Sequence, residues 1–415
     1  MRPAASPRHK GADIARRVML HRILPLLALS LLALLAGIPA RAMVPDAGAF
    51  MLPPALPAVP TAAEAPVALL VDLGSGQVLH ARHPDARFMP ASVTKVMTLY
   101  LAFELIAQGK LDPAQVFTMS PAIARDWRRV GSTMFLDSGE RVTVDDLLLG
   151  IANVSANDGA AVLAEGQAGS VKGWTALMNR TALGIGMTGS HFESPNGWPD
   201  EGRTFTTASD LVALARAMIT RHPDKFGYYI GRAGLDYKGI AQVNHDPMIG
   251  RVPGADGIKT GFTAEAGFSY LGTLRRNGQR LVLVLAGVPN GRLRAKIARA
   301  YAEWGFSAFE RRQLFAPGVV LGEARVQDGD ARALPLKAAG PVAVNLPKGS
   351  NSTLAATIRY DGPLKAPIAA GQEVAVLEVT AEGVAPARIP LYAAASVGTA
   401  GPLDRIVNAA LGLFS

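Results

Sequence analysis

The sequence predicts an α+β protein in which helices fill the space between two strand sections of one antiparallel sheet, with a small all-β sandwich following. Three observations carry this. β-rich runs stand at both ends of residues 67–312, and apolar patterns of helical period occupy the middle. Beyond Arg312, short β-like runs alternate with Gly, Pro and Asp turns.

Taken in order, residues 1–42 read as a secretory signal peptide. They hold seven basic side chains and one acid, a net of +6 against +9 for the chain, so the remainder carries only +3. That is too little to argue for a nucleic-acid partner. The apolar run Ile23 to Gly37 is short for a spanning helix, which needs roughly 20 residues. Ala40 and Ala42 form an A-x-A site, so cleavage is expected after Ala42. Residues 43–66, with six prolines among alanines, read as a semi-extended linker.

Order is expected from Val67, where two β-runs flank Gly74-Ser75-Gly76 as a hairpin. Helices are predicted from Ser92 to about Gln108, Val144 to Ala152, Ser170 to about Leu183 and Thr207 to Thr220. Strands follow in "GIKTGFT", "GFSYLGTLRR" and "QRLVLVLAGV", the last pair turned at Asn277-Gly278. A helix from Gly291 to about Phe309 closes the domain. Residues 313–398 form the β-sandwich domain, and 399–415 an amphipathic tail.

The chain has no cysteine, which excludes thiol catalysis and Cys-ligated metal. Its seven histidines show no ligand spacing, so neither metal nor cofactor is expected.

Three short motifs fall in order within residues 67–312: "SVTK" (Ser92 to Lys95), "SAN" (Ser155 to Asn157) and "KTG" (Lys259 to Gly261). Each alone is weak, and Ser92 could be a helix cap. Order and context give them weight. The serine opens a helix, "SAN" lies in a loop between helices, and "KTG" sits on a strand. Residues i and i+3 share a helix face, so Lys95 can reach the Ser92 hydroxyl. A lysine serves as base only when neutral, so its pKa must fall about three units from roughly 10.4. Burial and a second cation, Lys259, would both act in that direction.

With "PASVTKVMT", "GSTMFLDSGERVTVDDLLLGIANVSANDGAAVLAE", "HFESPNGW" and "DGIKTGFT", the sequence resembles the serine D-alanyl-D-alanine carboxypeptidases, low-molecular-mass penicillin-binding proteins of peptidase family S11. The resemblance covers about Val67 to Phe309, and more loosely the β-rich section. It implies a penicillin-binding, β-lactamase-like fold that removes the terminal D-alanine from peptidoglycan stem peptides ending in D-Ala-D-Ala and is acylated by β-lactam antibiotics. By the same resemblance, Ser92 is the nucleophile, Lys95 its proton acceptor and Ser155 a proton relay to the leaving nitrogen. Asn157 holds the lysine and the substrate amide, while Lys259 and Thr260, with Gly261 beside them, bind the terminal carboxylate. The N–H groups of Ser92 and Phe262 form the oxyanion hole. Phe262 stands where His or Tyr is often found, which matters little if only its backbone donates.

The resemblance further implies a periplasmic enzyme whose tail rests on the outer face of the inner membrane. In that tail Leu403, Ile406, Val407, Ala410, Leu411 and Phe414 make one apolar stripe. A helix docked on the protein's own β-domain is the alternative. Among rival functions, a D,D-endopeptidase of the same fold shares every motif. A class A-like β-lactamase needs a glutamate for deacylation, and Glu193 is the candidate. A non-catalytic wall-binding protein has no use for Ser92 and Lys95 together. Structural roles are expected for His191, for Asp158 as a helix cap, and for Trp127, Arg128 and Arg129 as an exposed loop cluster, with an edge of the cleft as the alternative.

Overall fold

A computed structural model of the chain describes residues 16–18 (main chain only), 59 and 64–401. The cleavage site at Ala42, nearly all of the Pro/Ala linker and the apolar stripe of the tail lie outside the described residues. The chain divides into two compact units, one spanning Ala58–Phe309 and the other beginning at Glu310.

The first unit is organised by a five-stranded antiparallel sheet in the order Gln77–Arg82, Val67–Asp72, Gln279–Val288, Gly267–Arg276, Ala255–Thr263. Its first and last strand sections therefore share one sheet, as the sequence predicts. Alternation along these strands assigns each face. Leu69, Val71, Val282 and Val284 enter one core with the inserted helices. Leu70, Leu281, Leu283 and Leu285 enter another with Ile297, Tyr301 and Ala302 of the helix Gly291–Ser307. Burial on both faces explains why "VALLVD" and "RLVLVLAGV" read as near-continuous apolar runs. At the turn, Asn277 and Gly278 have φ of 48° and 76°, the double positive φ that an Asn-Gly hairpin favours.

Between the strand sections lie the helices Lys95–Ala107, Pro121–Trp127, Val144–Asn153, Asn157–Ala168, Val171–Gly184, Ala208–Arg221 and Pro223–Tyr229. Two of them, at 121–127 and 223–229, are absent from the sequence reading, and the one at 157–168 is given no extent there beyond Asp158 as its expected cap. "NDGAAVLAEGQA" is Ala- and Gly-rich and buried through its first eight residues, so it shows no amphipathic stripe. Ser120, Thr143, Ser170, Thr207 and Asn290 each cap a helix by accepting the N–H three residues on. The helices at 95–107 and 157–168 receive no side-chain cap. Ser92 is thus not a cap. It lies in a 3-10 turn, Ala91–Thr94, that leads into the helix Lys95–Ala107.

Asp158 is not a cap either, contrary to the sequence expectation. It sits inside the first turn of its helix, and its carboxylate accepts N–H groups of Met134, Leu136 and Gly159. Two of these donors flank Phe135, whose φ of 63° is unusual for a bulky residue. The buried carboxylate therefore pins the loop that begins at Gly131.

The second unit is all-β. Leu354–Arg359, Glu373–Ala381, Ala387–Ala393, Ala333–Ala338, Val320–Gln327 and Leu364–Lys365 follow one another in one sheet, with Arg16–Val18 paired antiparallel to Leu354–Arg359. Phe309–Phe315 and Val342–Pro347 make a separate two-stranded sheet. Leu334, Leu336, Val342, Val344, Leu377 and Leu391 from both sheets share one apolar core.

Candidate active site

Lys95 is completely buried, and its Nζ has three neighbours: Ser92 Oγ at 2.9 Å, Asn157 Oδ1 at 2.7 Å and the Asn196 carbonyl at 2.8 Å. The orientation of the Asn157 amide is fixed, because its Nδ2 donates to the Val130 carbonyl at 3.0 Å. Two of the lysine's neighbours are carbonyl-type oxygens that can only accept. A neutral amine has two hydrogens and one lone pair. Giving both hydrogens to Asn157 and Asn196 leaves the lone pair for the Ser92 hydroxyl.

Burial, first, and the charge of Lys259, second, hold Lys95 well below the ordinary lysine range, while Asp158 opposes them. Lys259 is itself pushed down to about 7 by burial and then by Arg294. The environment thus favours the neutral form that a lysine base requires.

The loop around Asn196 is the part that sequence reasoning missed. Its contribution is a main-chain carbonyl, which leaves no side-chain signature beyond the turn-forming "SPNG". Thr98 Oγ1 donates to the Pro195 carbonyl at 2.7 Å, tying this loop to the helix that carries Lys95. Gly197 has φ of 73°, and a Cβ there would lie 1.8 Å from the Ala91 carbonyl oxygen. Only glycine allows the loop to press on the nucleophile turn.

A matching close approach comes from the strand Ala255–Thr263. A Cβ on Gly261 would meet the Pro90 carbonyl oxygen and Ser269 Oγ, each at 2.5 Å. Ser269 Oγ donates to that same Pro90 carbonyl at 3.0 Å. On this strand Lys259 and Thr260 are buried, and Lys259 Nζ donates to the Thr260 carbonyl at 3.0 Å. Phe262 is 54% exposed and stacks on Phe268, with ring centroids 4.2 Å apart.

Ser92, Asn157, Asn196, Trp198, Phe262 and Glu265 help to line an open cleft of about 470 Å³. Ser155 is buried two residues before Asn157, with φ of 62°. Its hydroxyl makes no hydrogen bond to Ser92 or Lys95 in this geometry. Trp127 is not simply part of an exposed cluster. It meets Trp198 edge-on at 5.8 Å and so stands behind a wall of the cleft, whereas Arg128 pairs outward with Asp137 at 2.7 Å. His191 and Glu193 pair with each other at 2.9 Å, and neither lines the cleft.

The family model for D-alanyl-D-alanine carboxypeptidases of the S11 peptidases matches residues 55–290. The chain belongs to this family. A second model, the C-terminal domain of penicillin-binding protein 5, matches residues 309–399, so an S11 catalytic region and an all-β region follow in sequence. The chain is 31% identical over 84% of its length to the D-alanyl-D-alanine carboxypeptidase DacA of Haemophilus influenzae, covering 90% of that protein. It is 32% identical to DacD of Salmonella typhimurium, over 84% of this chain and 90% of that one. Among solved structures, penicillin-binding protein 5 from Haemophilus influenzae aligns with a TM-score of 0.67 at 30% identity, over 82% of this chain and 99% of that one. An ampicillin-bound penicillin-binding protein D2 from Listeria monocytogenes aligns at 0.53 with 25% identity, over 59% of this chain and 98% of that one.

Proposed function

We propose that this serine-type D-alanyl-D-alanine carboxypeptidase removes the terminal D-alanine of peptidoglycan stem peptides by way of an acyl-enzyme on Ser92. The observation that carries the reading is the lone pair of Lys95, left to Ser92 by two partners that can only accept. Ser92 Oγ gives its proton to Lys95 as it bonds to the penultimate carbonyl carbon. The N–H groups of Ser92 and Phe262 receive the oxyanion; both residues line the cleft. The C–N bond then breaks, and the proton passes from Lys95 through Ser155 to the departing D-alanine nitrogen. Water adds to the ester with Lys95 again taking the proton, which releases the shortened peptide and restores Ser92. Lys259 and Thr260 bind the terminal carboxylate, and Asn157 serves the lysine and the substrate amide. The buried cations Lys259, on the strand, and Arg294, donating to the Gly261 carbonyl, support a carboxylate site there.

A β-lactam presents its carbonyl to the same nucleophile. Intact-mass analysis and peptide mapping after penicillin treatment should place the adduct on the Ser92 peptide, and Ser92→Ala should lose it. An adduct elsewhere overturns the assignment. Product analysis on a muropeptide ending in D-Ala-D-Ala separates the carboxypeptidase, which releases free D-alanine, from an endopeptidase, which cuts cross-links. Glu193→Gln should leave hydrolysis unchanged. A long-lived adduct seen only in that variant would instead support a β-lactamase.

The leader reading of residues 1–42 supports export to the periplasm. Among the described residues no helix is long and apolar enough to cross a membrane. The apolar stripe of the tail supports peripheral attachment to the inner membrane. Stopping the chain after Gly401 should move the protein from the membrane to the soluble fraction. Unchanged partitioning with a lower melting temperature would mean that the tail is structural.

A further inference from the structure

The cleft holds one carboxylate that the mechanism above does not use. Glu265 is the only charged residue among those lining it, and it is exposed. It has no hydrogen-bond or ion-pair partner among the described residues. The nearby acid Asp200 differs, since it accepts from both the backbone N–H and the hydroxyl of Thr204. Glu265 is also held in place. Thr263 Oγ1 accepts the Ala266 N–H at 3.0 Å, closing the turn that carries it. Across the cleft stands Trp198, 43% exposed and braced edge-on by Trp127.

Position just past the end of the strand gives this acid a direction. Lys259 and Thr260 take the terminal carboxylate, and Phe262 faces the scissile carbonyl. Glu265 follows three residues further on. A bound peptide read from its C-terminus inward meets these groups in the same order, with Glu265 in the turn just beyond the strand's end at Thr263. The three residues from Phe262 to Glu265 exceed the single residue between the scissile carbonyl and the residue before D-Ala-D-Ala, a gap that only a long side chain on that residue spans.

We propose that Glu265 is a specificity residue that takes a protonated amine on the side chain of the residue preceding the D-Ala-D-Ala unit, with Trp198 covering the methylene stem of that side chain. A carboxylate attracts the ammonium, and an indole face suits both the stem and the charge. The proposal rests on the placement of the terminal carboxylate at Lys259 and Thr260 given above.

Two synthetic peptides test it: Nα-acetyl-L-lysyl-D-Ala-D-Ala and the same peptide with the lysine Nε acetylated. The purified protein should hydrolyse the free-amine peptide with a kcat/KM about three- to five-fold higher, the size of a solvent-exposed ion pair, and 0.5 M salt should shrink the gap. The difference should lie in KM, because the contact is equal in ground and transition states. Glu265→Gln should remove the preference by weakening only the free-amine peptide, and Glu265→Lys should reverse it. Penicillin acylation should be unchanged in both variants. Equal hydrolysis of the two peptides by the wild type, or a preference that survives in Glu265→Gln, overturns the proposal and leaves the carboxypeptidase reading intact. Hydrolysis of neither peptide, with penicillin acylation retained, overturns the substrate reading and this proposal with it.

Discussion

The two units bury different kinds of residue. Between Ala58 and Phe309 the interior holds Lys95, Asp158, Asp246, Lys259 and Arg294 along with many hydroxyls and amides. Among the described residues from Glu310 onward, Asn345 is the only buried polar side chain. A fold needs apolar burial for stability and gains little from buried charge. Hence the second interior can be accounted for by packing alone, whereas the first cannot. Its buried lysines make sense as chemistry: a lysine in water stays protonated at neutral pH, and one kept dry beside another cation does not.

The contrast can be broken most severely at Lys95. Lys95→Met should slow penicillin acylation by about 10³-fold or more, since it removes the general base. Wild-type rates in a folded variant would mean that Ser92 has another base. The same variant should flatten the dependence of stability on pH. Both lysines have folded pKa values below the unfolded one of roughly 10.4, so the unfolded chain binds more protons and stability rises with pH across that interval. For Lys259 the interval opens at about 7. Melting or denaturant curves at pH 7 to 9 should climb more steeply for the wild type, by up to about 1.4 kcal/mol per pH unit. Equal slopes would mean that Lys95 is charged in the folded state.

From the other side, Leu377→Ala should destabilise the β-rich unit by about 3 kcal/mol through the cavity it leaves. Acylation at Ser92, measured well below the melting transition, should not change. A parallel loss of acylation would refute the view that this interior serves packing alone.

Asp158→Asn should have a smaller but double effect. One of the two N–H groups flanking Phe135 loses its acceptor, at a cost of about 2 kcal/mol. The loop bearing Gly131 should loosen, and acylation should slow about tenfold. A drop in stability without any change in acylation would separate that loop from the chemistry. The smallest effect is expected at Glu378, a partly buried surface acid that pairs with Arg359 and Arg388. Glu378→Gln should cost less than about 1 kcal/mol in a denaturant titration and nothing in activity.

How much of this was legible depended on where each signal is written. The shared sheet was readable because Val67–Asp72 and Gln279–Val288 are apolar on both faces and bounded by clear turns. The triplet Ser92, Lys95 and Asn157 was readable because its atoms are side-chain atoms. The extent of the helix Asn157–Ala168 was not readable because burial nearly all round erases periodicity. The Asn196 carbonyl was missed because main-chain oxygens look alike in every sequence. Asp158 was mistaken for a cap because a carboxylate near a helix start most often is one; its distant donors, Met134 and Leu136, appear only in three dimensions.

Gly197 and Gly261 press on the nucleophile turn from two sides, each with a backbone oxygen where a methyl group would stand. Such a turn can drift in few directions. The two glycines have no substitute that fits. The most damaging change at this site therefore removes no functional group at all and merely adds a single carbon at position 197.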